Sequence, residues 1–244
     1  MGDGAAQPLV RPPTLHLGRV GSASRLELFF DLAYVLVVLE LAHSLYTDLT
    51  WHGLLVMVGL FTAIWISWMG FTLYANRFDT DDLVFRLAKL AATGAIAGCA
   101  ASASDAVGKY AVPFAACYLL GRLILLGLYG RAWRHVPDAR PTINVYLVCL
   151  AASSVMWAAS LATPAPGRYW LWAAAVLVDA GRPLTIVNLA LAAGMFAITG
   201  AYFARLHGRL AASWDIRLHR RLVAANWVRT AGWTAQLAVA VALV

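Results

Sequence analysis

SRLELFFDLAYVLVVLELAHSLY, residues 24–46, decides the fold. It is apolar along most of its length, and as a helix it spans the roughly 30 Å hydrocarbon core of a bilayer. Yet it carries Glu27, Asp31, Glu40 and His43. A charge at the centre of a membrane helix costs about 2.5–3.5 kcal/mol on insertion scales, so each of these residues needs a partner or a function to hold it there.

The rest of the chain repeats the pattern. Of its 244 residues 61% are hydrophobic and 13% charged, against about 25% charged in a soluble domain. That is too little charge to cover a water-facing surface. The apolar residues fall in blocks at 25–46, 53–75, 82–104, 111–133, 142–162, 168–181, 184–206 and 220–243, separated by polar or Pro/Gly-containing breaks such as NRFDTDD, RHVPDARP and TPAPG. The expected class is all-α: a polytopic helical membrane protein with seven or eight transmembrane helices in one domain, 24–244, in contact with the lipid bilayer. Residues 1–23, rich in Gly and Pro and without an apolar core, read as a flexible cytoplasmic leader and not as a signal peptide.

The net charge of +7 fits arginine collected in cytoplasmic loops facing anionic lipid. No basic-aromatic soluble module is present to bind nucleic acid. Cys99, Cys117 and Cys149 lie singly inside apolar blocks, as small hydrophobes. No C-x-x-C, H-E-x-x-H, G-x-S-x-G or phosphate-binding glycine loop occurs, so no metal, cofactor or enzymatic activity is expected.

Arginine sets the expected orientation. Arg11, Arg19 and Arg25, then Arg77 and Arg86, then Arg131, Arg134 and Arg140 mark alternate loops, while the loops between them are poor in basic residues. The N-terminus is therefore placed in the cytoplasm. Arg205, Arg209, Arg217, Arg220 and Arg221 also ask for a cytoplasmic loop, which needs an even number of spans before it, and the blocks supply seven. Residues 168–206 would be about 57 Å long as a helix, too long for one span, so either one of these two blocks is a partial span or the basic loop lies outside. Within 205–221, Leu206, Leu210, Trp214 and Leu218 form an apolar stripe that suits either a headgroup-level amphipathic segment or a plain basic loop.

Four stretches carry a family resemblance: ELFFDLAYVLVVLELAH (27–43), YANRFDTDD (74–82), RHVPDARP (134–141) and VDAGRPL (178–184), with Arg122 fitting the same pattern. Together they resemble the bacterial low temperature requirement protein A family over roughly residues 24–184. The resemblance implies an integral, multi-pass protein of the bacterial cytoplasmic membrane and brings no established chemistry. The family's second motif, of the form L-P-E-R-x-G-L-F, is not found in residues 185–244, which read as a divergent or truncated tail. RLELFFD (25–31) also resembles the R-x-x-x-F-S-D signature of a family of organellar and bacterial potassium channels, with Phe30 where that family has serine.

The polar residues then sort by helical position. Glu27, Asp31 and Tyr34 share one face of the first block, and Glu40 and His43 share another. Two polar faces predict a central helix packed on two sides, with Glu40 and His43 meeting polar partners or an outward cavity. Arg122, in the middle of its block, needs a carboxylate. Asp31 is the first candidate by depth, within reach of a snorkelling guanidinium, and Asp179 the second. In the loop motif Arg77, Asp79, Thr80, Asp81 and Asp82, Thr80 or Asp79 is expected to cap the following helix, the acids favouring its positive end. Movement of a small solute or ion along buried charges leads among functions. A non-catalytic membrane component, whose charges serve only helix packing, is the alternative.

Overall fold

The computed structural model describes residues 9–15, 25–79, 82–180, 191, 194–195, 198–213 and 215–242. Its described elements are helical apart from one two-residue strand pair. They are α1 (Arg25–Thr47), α2 (Trp51–Arg77), α3 (Leu83–Ser102), α4 (Ala111–His135), α5 (Arg140–Ala162), α6 (Gly167–Ala180), α7 (Ala204–Ala212) and α8 (Ile216–Ala242). The chain divides into two compact units, residues 1–179 and 180–244.

In the first unit five helices, Arg25–Thr47, Trp51–Arg77, Leu83–Asp105, Ala111–His135 and Pro137–Ala162, are long and apolar enough to cross a membrane. The last turns of the third and the start of the fifth are 3₁₀, at Ala103–Asp105 and Pro137–Ala139. α1 packs on α2 and α3, α3 on α4, and α4 on α5. The described part of α6, 14 residues, is about 21 Å long.

α1 shows why the bundle belongs in lipid. Phe30, Ala33, Tyr34, Val37 and Leu41 form its buried face. Leu28, Phe29, Leu32, Val35, Leu36 and Leu39 are exposed on the other side. An exposed apolar stripe of this size is a liability in water and the natural surface against acyl chains. This corrects the expectation of a central α1 packed on two sides: it is buried on one face and presents the other outward.

The core is aromatic. Tyr74 is edge-on to Tyr129, Tyr118 lies 4.3 Å from Trp157 between ring centroids, and Trp157 stacks on Trp172 of α6 at 4.9 Å. Trp172 donates from Nε1 to Ser160 Oγ at 2.9 Å, so the short α6 is held by rings and a hydrogen bond together. Where α3 meets α4 the approach needs glycine: a Cβ on Gly98 would sit 2.5 Å from Cys117 Sγ. Gly98→Ala is expected to cost about 1–3 kcal/mol of overpacking, seen as a lower melting temperature in detergent. The same change at Gly94, where a Cβ meets nothing within 4 Å, is the neutral control.

Part of the leader is not loose. Thr14–Leu15 (β1) pairs antiparallel with Phe78–Asp79 (β2), the register being Thr14↔Asp79 and Leu15↔Phe78. Leu83 N–H donates to Leu9 O at 2.9 Å. The flexible-leader expectation is thus corrected for residues 9–15, because the backbone at the α2–α3 turn offers them donors and acceptors; residues 1–8 and 16–24 lie outside the described residues.

In the second unit, Thr199–Phe203 forms a π-helical turn leading into α7. The apolar stripe expected through 205–221 does not run through one helix. Ser213 is extended (φ −157°, ψ 135°), and Asp215 restarts the chain by accepting from Arg217 N–H at 2.8 Å. Trp214 and, within the expected block 184–206, residues 184–190, 192–193 and 196–197 lie outside the described residues. Arg229 places its guanidinium 4.9 Å over the Phe203 ring.

Candidate functional site

α4 carries Arg122 into the core of the first unit, where its side chain is 2% exposed. Its Nη2 donates to Asp179 Oδ1 of α6 at 2.7 Å and to Ser153 Oγ of α5. Ser153 Oγ lies 2.8 Å from the same Asp179 oxygen and also within 2.8 Å of Cys149 O. On the other side Arg122 Nη1 lies 3.4 Å from Tyr118 Oη, and Tyr118 donates to Ala63 O of α2 at 2.8 Å. Three helices therefore meet at one guanidinium, and a fourth is linked through Tyr118.

Asp179 is thus Arg122's partner, and the expected Arg122–Asp31 pair is corrected. Asp31 instead accepts from Trp68 Nε1 at 2.8 Å, across the α1–α2 seam. One residue along on α2 and one turn along on α1, Tyr34 and Ser67 exchange a hydrogen bond of 3.0 Å, both buried. Depth counting along the helices placed Asp31 within Arg122's reach but could not see that α2 covers Asp31 first.

Glu40 and His43 are not brought to partners. Glu40 is half-buried and His43 exposed, and neither makes a hydrogen bond or ion pair among the described residues. Both stand within about two turns of Thr47, the last residue of α1. Glu27 is half-buried in the first turn of α1.

The loop motif is organised by Asp82. It, and not Thr80 or Asp79, is the N-cap of α3, accepting from Phe85 N–H at 3.1 Å. Asp79 lies in the strand pair, Arg77 is exposed in the last turn of α2, and Thr80 and Asp81 lie outside the described residues. Asp82 Oδ2 also receives Arg11 N–H at 3.2 Å and Arg131 Nη2 at 2.7 Å, while Arg131 Nη1 reaches Oδ1 at 3.1 Å. Arg131 binds Arg11 O as well. Burial alone would raise this carboxyl, but the hydrogen bonds from Arg131, Phe85 N–H and Arg11 N–H outweigh it and hold its pKa below the ordinary carboxylate value. The bond joins the start of α3 to the end of α4, so the two loop motifs sit at one end of the bundle.

Sequence reasoning missed Tyr118, Ser153, Trp68 and Lys89 as members of these networks. Lys89 had a visible signal, a single lysine inside LVFRLAKLAATGAIAG. Among the described residues no group of three or more His, Cys, Asp or Glu could hold a metal ion.

Five long apolar helices with an outward apolar face, and with Lys89 and Arg122 buried among them, define a multi-pass membrane protein. Residues 22–204 match the family described as "Bacterial low temperature requirement A protein (LtrA)", and the chain belongs to that family. The match runs past residue 184, where the motif resemblance ended. No curated protein and no solved structure matches the chain.

Proposed function

We propose that this protein moves a small ion or solute across the bacterial cytoplasmic membrane by means of its buried polar residues, without a chemical step on the cargo. One observation carries this. In the Arg122–Asp179 pair, Asp179 Oδ2 and Arg122 Nε are buried yet bond nothing among the described residues. A pair retained only to lock helices is expected to spend its donors and acceptors, because each unspent one in a low-dielectric core is costly. A donor and an acceptor kept open beside the same ion pair suit a passing guest or water. Purified protein in lipid vesicles tests it, with entrapped dyes for protons, potassium, sodium and chloride. Flux of one of them above protein-free vesicles is expected; none, with the protein still folded, overturns the proposal.

The second reading, a non-catalytic membrane component, draws on the other side of the same site. Tyr118, Ser153 and Asp179 surround Arg122, and Trp157 and Trp172 stack beside it, as a packing device would require. Absence of flux would favour it.

The proposed orientation puts the N-terminus and both Arg-bearing loops in the cytoplasm. Asn76 and Asp138 are exposed beside these loops. With the three native cysteines replaced, Asn76→Cys and Asp138→Cys are expected to resist an impermeant maleimide in intact cells and to label after permeabilisation. Labelling of either in intact cells reverses or splits the orientation.

A further inference from the structure

We propose that the second unit carries a binding surface for acidic phospholipid headgroups, made by the exposed arginines of α7 and of the first turns of α8. This goes beyond the transport reading and stands without it. Residues 199–242 hold six arginines against one acid, Asp215. Asp215 is already engaged at the start of α8, where its Oδ1 accepts from the N–H groups of Arg217 and Leu218 at 2.8 and 3.4 Å. Arg205, Arg209, Arg217, Arg220 and Arg221 are all exposed, and none makes an ion pair among the described residues. The sixth, Arg229, is half-buried and turned inward over Phe203.

Helix geometry separates two sides of α8. At about 100° per residue, Leu218, Leu222, Ala225, Arg229 and Gln236 share one face. All five are half-buried or buried, so this is the packed side. The opposite face carries Ile216, Arg220, Val223 and Trp227, all exposed, Trp227 by 73%. Arg217 and Arg221 flank that face. On α7, Arg205 and Arg209 are four residues apart and stand one above the other on its exposed side, while Leu206 is buried.

This combination identifies the partner. Exposed Ile, Val and Trp beside an arginine are poorly solvated by water, and arginine is costly in hydrocarbon. A free anion would satisfy the guanidiniums but leave Ile216, Val223 and Trp227 uncovered. A bilayer interface offers both at one level. Its phosphate oxygens take paired N–H donors from the planar guanidinium fork, and its acyl boundary takes the tryptophan and the aliphatic side chains. An acidic headgroup is favoured over a zwitterionic one because it brings no ammonium to oppose five positive charges.

The test uses the full-length protein in detergent micelles given equal amounts of phosphatidylglycerol and phosphatidylcholine, with the lipids retained on it counted by native mass spectrometry. Wild type is expected to prefer phosphatidylglycerol by about fivefold or more, the effect of a single arginine near an anionic surface. R217Q/R220Q/R221Q should remove most of this preference with the lipid-free melting temperature retained, because the side chains are exposed and the Asp215 cap uses backbone N–H groups. R205Q/R209Q should lower it in part, and serves should the triple variant not fold. R77Q/K109Q/R134Q removes as many exposed charges elsewhere and should keep most of the preference. W227A should weaken retention of both lipids. No preference in wild type, an unchanged preference in folded R217Q/R220Q/R221Q, or an equal loss in R77Q/K109Q/R134Q overturns the proposal. Loss of phosphatidylglycerol to excess inorganic phosphate, at an ionic strength matched with sodium chloride, also overturns it, since the surface would then be one for a free anion.

Discussion

Arg122→Leu is expected to collapse the folded yield of the protein, and Asp179→Leu, not Asp31→Leu, to restore part of it. Arg122 and Asp179 are 2% and 6% exposed and 2.7 Å apart. Removing one member of such a pair leaves a charge in the core and costs roughly 3–5 kcal/mol. Whole-domain stabilities are about 5–15 kcal/mol, so this loss is a large share of the total. Replacing both members removes the stranded charge, leaving only the loss of packing and of the Ser153 and Tyr118 hydrogen bonds. Arg122→Leu with Asp31→Leu should do no better than the two losses added, since Asp31 is bonded to Trp68 of α2. Size-exclusion yield and melting temperature in detergent, measured for the singles and both doubles, give the two coupling energies. Coupling to Asp31 as large as that to Asp179 would contradict the observed pairing.

The contrast between the two partners shows what one sequence makes legible. The apolar blocks gave helices 25–47, 51–77, 83–102, 111–135 and 140–162 to within a few residues, because crossing a bilayer imposes both a length and a composition. That Arg122 needs a carboxylate was equally readable, since an isolated cation in the core is prohibitive. Which carboxylate it takes was not. Asp31 and Asp179 were both plausible by depth, and the outcome turns on how the helices are arranged: α4 packs on α5, and Trp172 stacks on Trp157 to bring α6, with Asp179, to the same place. Helical periodicity says which residues share a face, but not which faces meet. For the same reason Glu40 and His43 were correctly read as one face, while the polar partners expected for them are not found among the described residues. Lys89 was missed for a different reason. Its single charge lies near the end of a long apolar block, where a charge is unremarkable unless the three phenylalanines around it, from three helices, are known.

Asp82 should make stability pH-dependent in a way that one substitution removes. Its side chain is 1% exposed and accepts hydrogen bonds from Phe85, Arg11 and Arg131, all of which favour the carboxylate. Its folded-state pKa is therefore depressed, while the unfolded chain binds the proton at about 3.9. Stability from this group is present above the unfolded value and is lost as pH falls through the folded one, because only the unfolded chain gains a proton on the way down. Asp82→Asn is expected to cost about 3 kcal/mol near neutrality, the low end for a broken pair, since Arg131 remains 15% exposed and keeps water as a partner. The penalty should be constant from neutrality to about pH 5 and shrink below about pH 4, where the unfolded wild-type chain takes up a proton on Asp82 that the folded state does not. The other acidic residues titrate in both proteins, so the difference in melting temperature between them is the quantity to follow. A difference that stays constant down to pH 3 would mean that Asp82 is not held ionised by Arg131. The substitution reaches further than one pair. Arg11 N–H donates to Asp82, and Leu83 N–H, next to it, donates to Leu9 O, so the docking of residues 9–15 depends on the same carboxylate. Amide exchange of Arg11 and Leu83 should accelerate together in Asp82→Asn at neutral pH, and in the wild type only on acidification. Acceleration at Arg11 alone would show that the strand pairing, and not Asp82, holds this segment to the bundle.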